Sequence, residues 1–281
     1  MDTYRFILTE IADGIARITL NRPRYRNGQS TELLVELDAA ILAAGADPKV
    51  RVIVLAGAGD HFSAGHDLGT PDEQAFRAAN PIDPGIRGFY DRTWRLYVDM
   101  CLRWRNVPTP MIAAVQGYCI FGGWMIASTA DIVFAADDAM FLGSLFQCFS
   151  IPWDIHPRRA KEILFQGRFV NAEQARALGL VNRVIPRAHL MEDVLAYARD
   201  VAQNDPQQMR LVKLAINQAQ DAQGFTANIQ AAHSLYMLNW ATEKDPGFAL
   251  AAPEGRRRPM VQVALDRYRR DHESATSDEG A

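Results

Sequence analysis

An α/β fold with a layered core is what this 281-residue sequence predicts, and three observations carry the reading. Short apolar runs of strand length alternate with segments of helical period through the first half. Glycine-rich turns join them as strand–turn–helix units, which need crossover connections. From Ala160 onward the pattern is mostly helical, broken by Gly167, Gly179 and Pro186. The length suits one large domain or two modest ones, and is ample to bury a core.

Taken in order, Tyr4–Glu10 and Ile15–Leu20 alternate around Asp13-Gly14 and predict a β-hairpin. Leu33, Leu34, Leu37, Ile41 and Leu42 give Ser30–Ala44 a helical period, with Ser30 or Thr31 available as N-cap. Val50–Ala56 is an apolar run broken only by Arg51, the look of a buried strand. A Gly-rich turn, Gly57–Gly69, follows, then a polar stretch with prolines, Pro71–Pro84, read as a loop or short helix. Gly85–Arg105 reads as one helix, Met111–Val115 as a strand, Phe121–Thr129 as a helix and Asp131–Ala135 as a strand. Beyond these come a strand at Val181–Ile185 and helices at Leu190–Gln203, Gln207–Ala222 and Ile229–Thr242. The natural boundary falls between Thr242 and Pro259. Residues 1–200 form the expected core, 201–270 a helical C-terminal segment and the polar, acidic 271–281 a disordered tail.

Composition narrows the function. Hydrophobic residues at 48% and charged residues at 22% fit a soluble globular protein. No apolar run reaches the roughly 20 residues that a bilayer span needs, and Met1–Glu10 does not read as a signal peptide. Cys101, Cys119 and Cys148 stand far apart in apolar or aromatic surroundings, against a disulfide framework or zinc site and for a reducing cytoplasm. A net charge of −3 gives no reason to expect nucleic acid. His61, His189, His233 and His272 show no metal-binding spacing.

Two glycine turns carry the chemistry. Phe62-Ser63-Ala64-Gly65-His66-Asp67-Leu68 follows a buried strand, and Gly117-Tyr118-Cys119-Ile120-Phe121-Gly122-Gly123 opens a helix. Such turns can leave backbone N–H groups aimed at one point. Two convergent donors stabilise an oxyanion, at roughly 10²–10³-fold in rate per donor. Taken singly, either turn also fits an ordinary strand-to-helix connection.

Together the segments resemble the crotonase (enoyl-CoA hydratase/isomerase) superfamily. Asn21-Arg22-Pro23, Leu55–Leu68, Pro110–Gly117, Gly117–Asp131 and Ala175–Val184 match it in order and spacing, over about residues 4–260. The resemblance implies a crotonase-like core of repeated ββα turns, a helical C-terminal segment, and a homotrimer or dimer of trimers. It implies an acyl-CoA thioester as substrate, with coenzyme A part of that substrate and no further cofactor. Its oxyanion-hole amides map to His66 and Gly122, with Phe121 replacing the first glycine of a usual triplet. The thioester would lie along Ala64, His66, Asp67, Leu68 and Gly69, and against Gly122, Trp124, Met125, Leu145 and Trp153. Arg24 and Arg26, with Arg22, fall where the family meets the diphosphate and adenine end, which suits the guanidinium fork. Arg256–Arg258 match a family position near CoA of the same or a neighbouring subunit.

The departures from the family pattern narrow the reaction. Hydratases of the family use two carboxylates around C2–C3; here Met125 and Leu145 occupy those positions. Asp154 lies where some relatives carry a catalytic Asp, although it could equally cap the helix that follows. His156 could pair with it, and Tyr90 and Asp91 lie near pocket-lining positions. Three readings follow: a non-hydratase enzyme using Asp154, a hydratase with an atypical water site, or a CoA-ester binding protein.

Overall fold

The computed structural model describes residues 4–143, 150–242 and 259–278. Leu145, Cys148, Arg256–Arg258 and most of the Thr242–Pro259 boundary lie outside them. The hairpin forms as read: β1 (Ile7–Ala12) and β2 (Ile15–Leu20) pair antiparallel, and Asp13 and Gly14 take φ of 52° and 76°. Positive φ at both turn residues is what a type I′ hairpin requires. Helix α1 (Thr31–Ala46) begins at Ser30, whose Oγ accepts from the Leu33 N–H at 3.2 Å. Ser30, not Thr31, is therefore the cap.

The chain continues through β3 (Val52–Gly57), α2 (Pro71–Ala79) and α3 (Gly85–Thr93). The expected single helix over Gly85–Arg105 is broken by a π-helical stretch, Trp94–Asp99, before α4 (Met100–Arg105). Next come β4 (Met111–Val115), β5 (Tyr118–Ile120), α5 (Gly122–Ala127), β6 (Ile132–Ala136) and β7 (Met140–Leu142). The second half holds α6 (Ile151–Asp154), α7 (Pro157–Gln166), β8 (Val170–Asn171), α8 (Ala172–Leu178) and β9 (Arg183–Ile185). Helices α9 (Leu190–Ala202), α10 (Pro206–Ala222), α11 (Phe225–Ala241) and α12 (Pro259–Asp278) complete it. Residues 271–278, expected in the tail, continue α12; no Gly or Pro interrupts them before Gly280.

Six strands form the main sheet in the order β1-β2-β3-β4-β6-β9, parallel from β2 onward. The central strands β3 and β4 are buried on both faces, so they read as apolar runs, whereas edge strand β1 is largely exposed. Ile53, Leu55, Met111, Ala113 and Val115 point into the main core with Leu33, Leu37 and Ile41 of α1. Val52, Val54, Ile112 and Ala114 face Leu190, Val194 and Ala198 of α9. A second sheet, β5-β7-β8, was not expected from the sequence. Its strands are two or three residues long, too short to show a period, and the Gly117–Gly123 turn contains one of them. Among the described residues no helix is long and apolar enough to cross a membrane.

Candidate active site

The two glycine turns meet through backbone pairing. Ser63 N–H donates to the Tyr118 carbonyl at 3.0 Å, and Ile120 N–H donates back to the Ser63 carbonyl at 3.0 Å. Ser63 Oγ accepts from the Gly65 N–H at 3.2 Å and donates to the Asn27 carbonyl at 2.8 Å, which fixes the first turn. Gly65 takes φ 90°, and a Cβ there would lie 2.7 Å from the Ile120 carbonyl and 3.2 Å from the Gly122 nitrogen. Only glycine lets the turns approach this closely.

His66 and Gly122 thereby become neighbours. Gln29 N–H donates to the Gly65 carbonyl, and Asp67 N–H donates to the Gln29 carbonyl, so the ladder skips the His66 N–H. Gly122 opens α5, where no carbonyl lies four residues back to receive its N–H. Among the described residues neither amide has an acceptor. Phe121, in place of the family glycine, takes φ 47° and ψ −110°, a conformation costly for a residue with a side chain. Its N–H donates to the Leu142 carbonyl at 2.7 Å and its carbonyl accepts from Met125 N–H at 3.0 Å, which hold it there. The Gly122 nitrogen stays beside the first turn, 3.2 Å from where a Cβ on Gly65 would stand.

Other residues named from the sequence divide into groups. Arg22 does not face a ligand. It is buried, donating to Asp67 Oδ2 at 2.8 Å and Thr70 Oγ1 at 2.8 Å. Asp67 Oδ1 accepts from the Gly69 and Thr70 N–H groups. Burial alone would raise the Asp67 pKa, but the bonds from Thr70, Gly69 and Arg22 hold it below the usual carboxylate value. The Asp67 side chain thus anchors the turn rather than reaching outward. Asp67→Ala should cost about 3–5 kcal/mol, because it strands a buried guanidinium; urea denaturation of the variant measures this.

Arg24 and Arg26 are exposed, Leu68 stands at the rim 59% exposed, and Ala64 N–H donates to the Arg26 carbonyl at 2.9 Å. Trp124 is buried edge-on to Phe141, and Met125 is core. Trp153, on α6, packs on Phe225 and donates to Asn228 Oδ1 at 3.3 Å. Tyr90 meets the His233 ring edge-on, while Asp91 is exposed.

Asp154 is not the cap of α7. His156 is: its Nδ1 accepts from the Arg158 N–H at 3.2 Å, so that nitrogen is turned to the helix rather than to Asp154. Asp154 ends α6, accepts from Ser150 Oγ, and lines a cavity of about 140 Å³ with Trp124, Ser128, Asp131 and Asn182. Crowding by protein atoms pushes its pKa up to about 6, with the Ser150 bond pulling down. The carboxylate keeps an open face to solvent, which tempers that shift. Trp124, two residues beyond Gly122, connects this cavity to the helix of the amide pair.

Sequence reasoning missed Tyr97, Gln29 and the Glu73 network. Tyr97 lies in the π stretch and stacks on His66, with centroids 3.8 Å apart. Glu73, buried, accepts from Thr31 N–H at 2.7 Å, Arg77 Nε at 2.6 Å and Arg92 Nη2 at 2.6 Å, tying α2 and α3 to the start of α1. Glu73 lay in a stretch whose only local signal was polarity.

The enoyl-CoA hydratase/isomerase family model matches residues 10–245. The chain belongs to the enoyl-CoA hydratase/isomerase family. A Mycobacterium tuberculosis protein, EchA13, provisionally named an enoyl-CoA hydratase, is 37% identical over 251 residues, covering 82% of this chain and 79% of its own. The structure of a probable enoyl-CoA hydratase from Mycobacterium smegmatis is 42% identical at a TM-score of 0.76, covering 83% of this chain and 93% of that one. An enoyl-CoA hydratase/isomerase from Xanthobacter autotrophicus Py2 superposes over 97% of this chain and 96% of its own, at 32% identity and a TM-score of 0.77. The fold is thus the crotonase-like α/β fold that the residues suggested, with a helical C-terminal segment, and the chain is an enzyme of this family.

Proposed function

We propose that this enzyme polarises an acyl-CoA thioester carbonyl between the His66 and Gly122 amides and moves a proton, or attacks, with Asp154. The observation that carries the reading is the pair of amides without acceptors among the described residues, brought together by the Ser63–Tyr118 and Ile120–Ser63 bonds. An isomerase or lyase reaction through a thioester enolate, or a hydrolase reaction through a tetrahedral oxyanion, follows from an oxyanion site combined with one carboxylate. Coenzyme A enters as part of the substrate, with no other cofactor, and Arg24 and Arg26 are exposed for its phosphates. A panel of acyl-CoA thioesters followed by mass spectrometry tests the reading. A double-bond shift or loss of CoA supports it, a gain of water favours an atypical hydratase, and an unchanged panel sinks catalysis in favour of binding alone.

Straight-chain hydration is expected to be weak. Met125 is buried and apolar where the family places an acid, and Leu145, outside the described residues, occupies the other position. Turnover of crotonyl-CoA should fall more than tenfold below about 10 per second, a common enzyme value; a rate near that value refutes the alignment.

The quaternary proposal is a trimer or dimer of trimers. Leu211, Leu214 and Ile216 of α10 and Leu235 and Leu238 of α11 stay 47–68% exposed, more apolar surface than a monomer commonly leaves uncovered. Sedimentation at micromolar concentration should show a multiple of three chains, and a stable monomer would remove the proposal. Buried free thiols at Cys101 and Cys119, whose pKa values burial raises, support a cytoplasmic setting.

A further inference from the structure

The side chain of His66 has no task in the mechanism above, yet it occupies the centre of the site. Its ring lies on Tyr97 and against Gly122: a Cβ on Gly122 would sit 2.6 Å from His66 Cε1, 2.7 Å from Nδ1 and 2.6 Å from Gln29 Oε1. Among the described residues, both ring nitrogens and Gln29 Oε1 are buried without hydrogen-bond partners. Buried polar atoms are nearly always paired, so three orphans beside one amide call for a ligand. Tyr97 reaches the ring from the π-helical stretch, a distortion frequent at functional sites.

We propose that His66, with Gln29, is a specificity group that hydrogen-bonds a hydroxyl carried by the acyl chain close to the thioester. This rests on the acyl-CoA reading above. A neutral imidazole offers one donor and one acceptor, and a hydroxyl answers with one of each. Gln29 Oε1 and the bare ring nitrogen both only accept, so the single O–H donates to one of them while the hydroxyl oxygen accepts from the ring N–H. A carboxylate substituent would call for a charged ring, and burial together with the nearby Arg92 drives the His66 pKa down to about 3. An all-hydrocarbon chain would leave the orphans unpaired.

Equilibrium binding of butyryl-, 2-hydroxybutyryl- and 3-hydroxybutyryl-CoA tests this on the wild type, His66→Phe and His66→Gln, with melting temperatures alongside. The wild type should prefer one hydroxyacyl ester to butyryl-CoA by about tenfold or more. In His66→Phe, which keeps a ring on Tyr97, that ratio should fall toward one. His66→Gln, with a donor and an acceptor, should retain part of it even if the Phe variant folds poorly. A wild type without preference, or a preference that survives in His66→Phe, overturns the inference. Failure of the wild type to bind any of the three esters overturns the acyl-CoA reading itself, and this inference with it.

Discussion

His66→Pro should lower acyl-CoA turnover by about 10²-fold or more relative to His66→Ala. Both variants lose the imidazole, so their ratio isolates the backbone N–H, which proline lacks. The amide is free of any backbone acceptor among the described residues, and one lost donor in an oxyanion site costs about 10²–10³-fold. The thioester carbonyl stretch of a bound substrate, read by Raman spectroscopy, should shift in His66→Ala as in the wild type and much less in His66→Pro. Equal losses in the two variants would show that the side chain, not the amide, carries the effect. Melting temperatures guard against misfolding, since the turn is held mainly by Ser63, Asp67 and Arg22 rather than by the His66 N–H.

Asp154→Asn should leave the melting temperature near that of the wild type and lower turnover by about 10²-fold or more. Helix capping predicts no loss of activity, and His156 already caps α7. The pH dependence gives a second readout. Crowding of the partly open Asp154 carboxylate by protein atoms lifts its pKa from 3.8 toward about 6, so the folded protein binds this proton more tightly than the unfolded chain. Stability contributed by that proton is present below about pH 4 and is lost as pH rises through about 6. The rate profile should inflect near pH 6 in the wild type and lose that inflection in Asp154→Asn. Wild-type activity and an unchanged profile in the variant would make Asp154 a bystander.

Local chemistry made much of this protein legible. Asp13-Gly14 between alternating runs specified the hairpin, and Ser30 or Thr31 marked where α1 begins. The apolar runs Val52–Ala56 and Met111–Val115 read correctly as strands buried on both faces. The Gly65 and Gly122 turns were visible because glycine marks places where backbone must come close. All these are signals carried within a few residues.

Other features needed the folded chain. The β5-β7-β8 sheet joins segments of two or three residues from distant places in the sequence, and no local period announces it. Arg22 looked like a phosphate ligand beside Arg24 and Arg26 until the fold placed Asp67 and Thr70 around its guanidinium. Asp154 looked equally like a cap until His156 proved nearer to the α7 N–H groups. Tyr97 stacks on His66 from a π-helical stretch inside what the sequence read as one helix. The sequence by itself determined the hairpin, the long strands of the main sheet, most of the helices, the family and the two glycine turns, since backbone conformation and hydrophobic period are local properties. Tertiary structure alone decided which charges are spent on each other and which polar atoms stay unpaired, because those depend on distances between residues far apart in the chain.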